Sequence, residues 1–493
     1  MKKFTCLLLV LTQLLLLAAC AEGETEDTTP TPEVSGESTD TEAQEETELM
    51  PDLPEKDFGG DDFIFVSNLN VNDWVKLNIV DIYAEEETGE GLNDAVFQRN
   101  MYLNDTCGIV IGQVLDSDPN GKVRNSIAAQ DGAYDVMYTR TGHNIGLASS
   151  GSFLDYNTMP YVDFDMPWWD NNAMGSLSVA GKTYVAVNDI MLANHNATAA
   201  VLFNKQMIAD HGFTENPYDL VLENKWSIDK VSEMSKVVHN DVDGNGVYDE
   251  NDVYGFMCYR DASLSMFHSS GGLIVKKDKE GIPQLTLMRE STYDSMLKSL
   301  TLMAEPSTFN LHKMLEKTHP TDLYSVTEDM FRNDQGLFYW ILIHDVQLFR
   351  DMESDFGILP VPSADPEKYG YRCGVNRHHG YLMSVLTTAD PDQAGYILEL
   401  MSAKSHYTVQ DEYYNVCLTR KYSRDEQSAE MLDIIFDNRV YDFGAFYNIG
   451  NLETTFIMMT MTNETNMASK YAGSKRAAQK AIDKLLKTYE ELE

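Results

Sequence analysis

The sequence predicts an α/β protein with two lobes, and two observations carry this prediction. About 435 residues follow the N-terminal segments considered below, which is too many for a single hydrophobic core. Strand-like apolar runs also alternate with helix-like segments, a pattern typical of βα units and a mostly parallel sheet. The first strands are predicted at residues 63–66, 109–111 and 134–138, and a helix with an Asn or Asp cap at 93–100.

The same alternation continues along the chain. Residues 183–187 and 201–205 are predicted strands, and the polar loop between them is the first crossing between the lobes. A helix begins at Ser227, with apolar residues spaced for one buried face. Residues 356–362 are predicted to carry the chain back towards the first lobe. Residues 337–343 form an apolar and aromatic run, and helices are predicted at 429–436 and 474–492.

These elements divide the body into four predicted segments. Residues 58–190 form the first part of the first lobe, and residues 191–365 form the second lobe. Residues 366–415 return to the first lobe. Residues 416–493 are predicted to be C-terminal helices that belong mainly to the second lobe.

The N-terminus predicts export and lipidation. Lys2 and Lys3 precede a short apolar run that ends in small residues before Cys20, a pattern that resembles the bacterial lipobox. Residues 1–19 are therefore a predicted signal peptide, and Cys20 is the predicted lipidation site, which anchors the protein on the extracellular face of the cell membrane. The alternative is an ordinary secretory signal with a chance cysteine.

Composition indicates a linker after Cys20 and argues against nucleic-acid binding, a zinc site and a disulfide framework. Residues 20–57 are acidic, rich in Thr, Ser and Pro, and are predicted to be a disordered linker. The net charge of −41 argues against nucleic-acid binding. The cysteines of the body lack the spacing of a zinc site or a disulfide framework, so we expect buried small hydrophobic residues at Cys107, Cys258, Cys373 and Cys417.

Several stretches, taken in order, resemble the extracellular solute-binding proteins of carbohydrate ABC importers, particularly lipoproteins of Gram-positive clostridia. They include GAYDVMY at 132–138, PYVDFDMPWWD at 160–170, VLFNK at 201–205, DFGILPVP at 355–362 and the long stretch at 421–444. The resemblance implies the type II periplasmic-binding-protein-like fold, in which two lobes joined by hinge strands close over a ligand. It also implies a non-enzymatic role.

The resemblance further implies partners and site positions. We expect a monomer that binds a sugar or oligosaccharide, delivers it to the transmembrane subunits of an ABC permease, and contacts the membrane through its lipid. Sugar sites combine aromatic platforms with polar side chains. The predicted ligand residues fall where contacts of such proteins commonly occur, although each aromatic could instead pack in a core: Tyr138, Arg140, Asn188, Asp189, Tyr259, Asp261, Trp340, Arg377 and His379.

One acidic loop has the spacing of a calcium site. Oxygen ligands recur at loop positions one, three, five, seven, nine and twelve, with Gly246 at the sharp turn. The predicted Ca²⁺ ligands are Asp241, Asp243, Asn245, the carbonyl of Val247, Asp249 and Asp252. Asp at position twelve is a departure from the usual Glu and reaches less easily for bidentate ligation. The alternative is a solvated acidic turn.

Two further functional classes remain open at this stage. One is a surface glycoside hydrolase acting through two carboxylates. The other is an adhesion or scaffolding lipoprotein stiffened by calcium. The sequence contains no GxSxG, HExxH, GxGxxG or GxxxxGK[ST] motif, and it shows no repeats.

Overall fold

Helices and strands alternate along the chain, as predicted. The structure is a computed structural model, and it describes residues 48–69, 80–414 and 425–492. The predicted signal peptide, Cys20, Cys417 and most of the acidic linker lie outside these residues. The strands are β1 (Asp61–Asn68), β2 (Ile109–Asp116), β3 (Val136–Arg140), β4 (Ala199–Asn204), β5 (Tyr254–Cys258), β6 (Val275–Lys277), β7 (Pro283–Leu285), β8 (Thr308–Asn310), β9 (Gly336–Leu342), β10 (Phe356–Leu359), β11 (Cys373–Gly374), β12 (Tyr381–Val385) and β13 (Arg439–Val440).

The helices lie between and after these strands. They are α1 (Gly91–Cys107), α2 (Pro119–Ala129), α3 (Thr141–Ala148), α4 (Asn171–Leu177), α5 (Ala193–Asn196), α6 (Lys205–Asp210), α7 (Pro217–Leu222), α8 (Ile228–Val238), α9 (Ala262–Ser269), α10 (Glu290–Ala304), α11 (Leu311–Leu315), α12 (Leu323–Arg332), α13 (Pro366–Tyr369), α14 (Pro391–Tyr407), α15 (Val409–Asp411), α16 (Glu426–Asp437), α17 (Phe443–Phe446), α18 (Leu452–Met459) and α19 (Met467–Glu491). Short 3₁₀ turns occur at Tyr156–Thr158, Ile343–Phe349, Ile449–Asn451 and Thr460–Thr462.

Two sheets organise the molecule. The first has the order β12-β3-β1-β2, with β1 parallel to β2 and β3, and β12 antiparallel to β3. The second has the order β10-β4-β9-β5-β8, with β5 parallel to β8 and β9 and the other pairs antiparallel. All of β9 is buried, because a continuous apolar run suits a central strand that is covered on both faces.

Two predicted strands differ from the structure. Residues 183–187 form no regular strand, because only Ala186 pairs, through a single bridge to Met383. The segment is apolar because it is buried in the first core. Strand β10 stops at Leu359, before two prolines, and pairs with β4 at the edge of the second sheet. It therefore does not carry the chain back to the first lobe.

Each sheet lies within its own hydrophobic core. The chain passes from the first core to the second between Met191 and Ala199; within this segment Leu192 packs in the second core, and Ala193 and Ala197 pack in the first. It crosses back between Cys373, which lies in the second core, and Val375, which lies in the first, and it changes core again between residues 403 and 409 and between residues 435 and 441. The two crossing segments contact each other, since the N–H of Asn376 donates to the Ala197 carbonyl at 2.9 Å.

The helices after residue 440 contribute to the first core, whereas the sequence favoured the second lobe. The cause is Asp442, whose carboxylate is 1% exposed. It accepts from the backbone N–H groups of Ile274 at 2.7 Å and Gly444 at 2.8 Å and contacts His268 at 3.1 Å. These bonds join the C-terminal region to residues 268–275, which also pack in the first core.

Residues before position 58 also contact the folded body. Met50 and Leu53 pack against the first core, and Lys56 forms an ion pair with Asp392. Residues 48–57, the last ten of the predicted linker, therefore belong to the folded body, which they contact through apolar side chains and the ammonium group of Lys56. Across residues 48–69, 80–414 and 425–492, no helix has both the length and the apolar character needed to span a membrane. Cys107, Cys258 and Cys373 are buried and unpaired, as predicted.

Candidate functional site

A cavity of about 270 Å³ lies at one end of the second sheet, beside the second crossing segment. Strands β5 and β9 are parallel neighbours, so their carboxyl ends meet at one edge. Tyr259 and Asp261 follow β5, and His344 and Asp345 follow β9. Helix α12, Asn376 and His379 complete the lining. The cavity therefore lies where a movement between the two cores would change its shape.

Three aromatic side chains form one wall of this region. The ring of Tyr259 meets those of Tyr324 and Trp340 edge-on, with centroids 5.3 Å apart in each pair. Trp340 is 1% exposed and supports Tyr259 from within the core. Tyr259 and Tyr324 line the cavity. This arrangement offers rigid apolar surface of the kind that packs against the C–H faces of a sugar ring.

A histidine pair lies opposite these aromatic residues. His344 Nε2 is 3.0 Å from Asp345 Oδ1, and its Nδ1 is 3.2 Å from the carbonyl of Asn196. Each ring nitrogen of His344 therefore faces an oxygen that can accept a hydrogen bond. Burial acts to raise the pKa of Asp345, but the pKa lies below its usual value because the charge and hydrogen bond of His344, the neighbouring His379 and a backbone hydrogen bond from Leu342 together oppose burial. His379 stacks on His344 with centroids 5.4 Å apart.

The carboxylate of Asp261 does not cap the helix that follows it. Asp261 occupies the N-cap position of α9, yet its side chain accepts no capping hydrogen bond. An Asp at this position normally accepts from the first turn of its helix. Here it lines the cavity, and desolvation raises its pKa while Arg260 opposes the shift. An available carboxylate of this kind can accept hydrogen bonds from ligand hydroxyl groups.

Comparison with known proteins bears on the fold. No protein-family model and no curated protein matches the sequence. Among solved structures, the chain is similar to a cyclo/maltodextrin-binding protein complexed with maltotetraose, at 13% identity and a TM-score of 0.55, covering 87% of this chain and 96% of that chain.

Two further structures give the same result. One is a family 1 extracellular solute-binding protein from Bifidobacterium longum subsp. infantis, at 15% identity and a TM-score of 0.51, covering 87% of this chain and all (100%) of that chain. The other is an ABC substrate-binding protein from Listeria monocytogenes in complex with cycloalternan, at 11% identity and a TM-score of 0.50, covering 87% and 99%. The chain has the fold of the type II solute-binding proteins.

Within this solute-binding fold, three of the nine predicted ligand residues line the cavity: Tyr259, Asp261 and His379. Trp340 lies behind Tyr259 in the core. Arg377 forms an ion pair with Glu453 instead of lining the cavity. Burial raises the pKa of Glu453 to about 7, and Arg377 opposes the shift. Arg140 lies at the end of β3, where its charge contributes to lowering the pKa of His379, a shift that comes mainly from burial.

Three other predicted ligand residues have structural partners instead. The hydroxyl of Tyr138 donates to the buried carboxylate of Asp81. Asn188 is buried and accepts from the N–H of Ile190 at 3.2 Å. Asp189 lies 2.6 Å from His406. Each follows a buried segment, as a ligand residue would, but packing of the first core fixes it away from the cavity.

Sequence reasoning missed other members of the lining. His344 and Asp345 directly follow β9, so the rule that ligands sit beyond the carboxyl ends of strands could have found them. Tyr324 and Glu328 lie on α12. Nothing in the local sequence distinguishes these two from ordinary surface or packing residues.

The predicted calcium loop connects α8 to β5. Carboxylate oxygens of Asp241, Asp243 and Asp252 lie within 4.8 Å of one another. The backbone N–H groups of Gly244 and Gly246 each donate to Asp241 at 2.8 Å, and both glycines have positive φ. Asp252 is 1% exposed. The loop thus gathers three negative charges around one point, which a divalent cation would neutralise.

The other predicted calcium ligands have local partners. Asn245 accepts from the N–H of Val247 at 2.6 Å, and Asp249 accepts from the N–H of Asn251 at 2.9 Å. These bonds hold the loop in the tight turn that the spacing predicts.

Proposed function

We propose that the protein is the solute-binding component of an ABC importer, which captures a sugar or oligosaccharide outside the cell and delivers it to the membrane permease. The observation that carries the proposal is the cavity beside the crossing segments, because it combines Tyr259 and Tyr324 with the free carboxylate of Asp261. Similar folds have been solved with maltotetraose and with cycloalternan. In the proposed role the cavity performs no chemistry.

The proposed binding step uses the crossing segments as hinges. His344 bridges the end of β9 to the carbonyl of Asn196 on the first crossing, and it stacks on His379 on the second. A ligand held by these residues therefore contacts groups that move relative to one another. Ligand binding would shift the equilibrium towards a closed form, which the permease recognises.

Differential scanning fluorimetry with a panel of oligosaccharides tests the proposal. A ligand at a hundred times its Kd should stabilise the protein by about 2.7 kcal/mol. Replacing Tyr259 with Ala should abolish the shift, whereas the control Asp294→Asn, an exposed substitution on α10, should retain it. A protein that no sugar stabilises, and that instead releases products from a glycan, would be the surface glycoside hydrolase of the alternative hypothesis.

We further propose that Cys20 carries a lipid and that the protein is anchored on the extracellular face of the cell membrane. The support is the sequence of residues 1–20, with its basic start, apolar run and small residues before the cysteine. Replacing Cys20 with Ala should move the protein from the membrane fraction to the medium. Unchanged membrane association of that variant would contradict the anchor.

We also propose that the loop at residues 241–252 binds Ca²⁺ in a structural role. The support is the convergence of Asp241, Asp243 and Asp252, one of which is buried. Oxygen ligands at this spacing suit calcium better than softer metals. Asp249, Asn245 and the Val247 carbonyl are the further proposed ligands.

A further inference from the structure

The cavity lining carries an uneven distribution of charge. Four carboxylates line it, from Asp261, Asp322, Glu328 and Asp345. Among its described residues the lining contains no Lys or Arg, and its basic groups are His344 and His379. Burial lowers the pKa of His379 to about 3, so this ring is neutral at physiological pH. Negative charge therefore predominates at the surface that a ligand would contact.

Some of these carboxylates are balanced by neighbouring groups. Asp345 lies 3.0 Å from His344, and Glu328 is 3.9 Å from the guanidinium of Arg332. Asp322 is 3.4 Å from His319. In the part of the chain that the structure describes, no cation lies within ion-pair distance of Asp261, so its carboxylate is the one that the fold leaves for a ligand.

The nearby guanidinium groups of Arg260 and Arg377 are not among the residues that line the cavity. Arg377 is paired with Glu453. Arg260 acts on the neighbouring Asp261, whose pKa it lowers against the effect of burial. Recognition of a carboxylate or sulfate normally requires a guanidinium or ammonium group directed at the ligand. The described lining of the cavity lacks one.

We propose, on the basis of the proposed sugar-binding function, that the cavity selects neutral sugars and excludes uronic acids. Hydroxyl groups of a neutral sugar can donate to Asp261, and the amide of Asn376 can bond a further hydroxyl or ring oxygen. The carboxylate of a uronic acid would lose its hydration and would then be repelled by the carboxylates of the lining, so its binding would be disfavoured.

Calorimetric titration of the wild-type protein with matched sugars tests this selection at pH 7. The pairs are glucose with glucuronate, galactose with galacturonate, and galactobiose with digalacturonate. Within any pair that binds, the neutral member should have a Kd lower by about 100-fold or more, because like-charge contacts strongly disfavour the anion. Equal or tighter binding of the uronic acid would overturn the selection while leaving sugar binding intact. Binding of neither class to the protein would overturn the proposed function itself, and this inference with it.

Asp261→Asn supplies a second test of the same inference. The substitution removes one negative charge and replaces an acceptor oxygen with a donor amide. It should raise the Kd of neutral sugars about tenfold. The ratio between the Kd of an acidic sugar and the Kd of its neutral partner should fall by a similar factor. Asp294→Asn makes the same charge change on the exposed face of α10 and should leave the ratio unchanged. An unchanged ratio in a folded Asp261→Asn protein would overturn the role of Asp261, and the wild-type titrations remain decisive if that variant does not fold.

Discussion

Tyr138 and Tyr259 have the same type of side chain but different surroundings. Tyr138 is buried in the first core and donates to Asp81, a carboxylate that also accepts from the N–H of Leu192 at 3.2 Å. Desolvation raises the pKa of Asp81 to about 6, against the effect of these bonds. Tyr259 has its hydroxyl 3.5 Å from Asp345 at the cavity. We therefore expect the first hydroxyl to contribute to stability and the second to contribute to the proposed ligand binding.

Replacing each tyrosine with Phe should separate the two roles. Tyr138→Phe removes a donor from a buried carboxylate and should lower the free energy of unfolding by about 1–3 kcal/mol without changing the Kd of the bound sugar. Tyr259→Phe should raise that Kd about tenfold with little loss of stability. Urea unfolding and calorimetric titration measure both quantities. The opposite assignment of effects would restore Tyr138 as a ligand residue.

Glu399 makes stability depend on pH. It accepts from the indole N–H groups of Trp168 and Trp169 at 2.9 Å each. Desolvation nevertheless raises its pKa from 4.5 to about 7. The folded state therefore holds this proton more tightly than the unfolded state, and the free energy of unfolding should fall as pH rises from 4.5 to 7.

The variant Glu399→Gln should flatten this dependence. One titrating group changes the free energy of unfolding by at most about 1.4 kcal/mol per pH unit. The variant lacks this contribution because its side chain does not titrate. It should also be less stable throughout, because its amide directs a donor at an indole N–H. Urea unfolding at several pH values measures the slope, and Glu430→Gln, an exposed substitution on α16, should keep the wild-type slope. A steeper slope in Glu399→Gln would contradict the account.

At the scale of elements, the calcium loop is closed at its base by a bridge between Asn240 and Val253. Ser227 caps the helix that leads into the loop by accepting from the N–H of Lys230 at 3.1 Å. The loop therefore joins two ordered elements of the second core. A cation in the loop would stabilise that core by neutralising the clustered carboxylates.

Removal of calcium should lower the melting temperature of the protein. Saturation at a hundred times the Kd corresponds to about 2.7 kcal/mol, so EDTA should lower Tm by several degrees and added Ca²⁺ should restore it. Asp252→Asn should lose the response, whereas Asp294→Asn should keep it. A Tm that is indifferent to EDTA and Ca²⁺ would leave the loop as a solvated acidic turn.

The sequence predicted those elements whose signals are local. The cap at Ser227 and the apolar spacing after it are confirmed in α8, whereas the apolar run at 337–343, for which no element was predicted, forms most of β9. Residues 183–187 have the same apolar character but pair at one residue, because strand formation requires a partner that is distant in sequence. The placement of the C-terminal helices depends on Asp442 and residues 268–275, which no local pattern connects.

For the whole molecule, chain length was sufficient to predict two cores. The site was only partly predictable. Tyr259 and Asp261 follow β5 and could be found from strand ends, but Asn376 and His379 reach the cavity because the chain crosses between cores a second time. Tertiary arrangement therefore decided which of the predicted polar residues share one surface.

The two crossings also set the expected motion. Their contact at Asn376 and Ala197 links the segments on which the cores would rotate, and His344 stacks on His379 in the lining of the neighbouring cavity. A ligand bound in that cavity should draw the cores together.

Small-angle X-ray scattering with and without the sugar that gives the largest thermal shift tests this claim most directly. The account predicts that the radius of gyration falls on saturation with that sugar, and that Tyr259→Ala shows no change at the same sugar concentration. A radius of gyration that is unchanged in the wild-type protein, at a concentration where calorimetry shows full binding, would contradict closure of two lobes over the ligand.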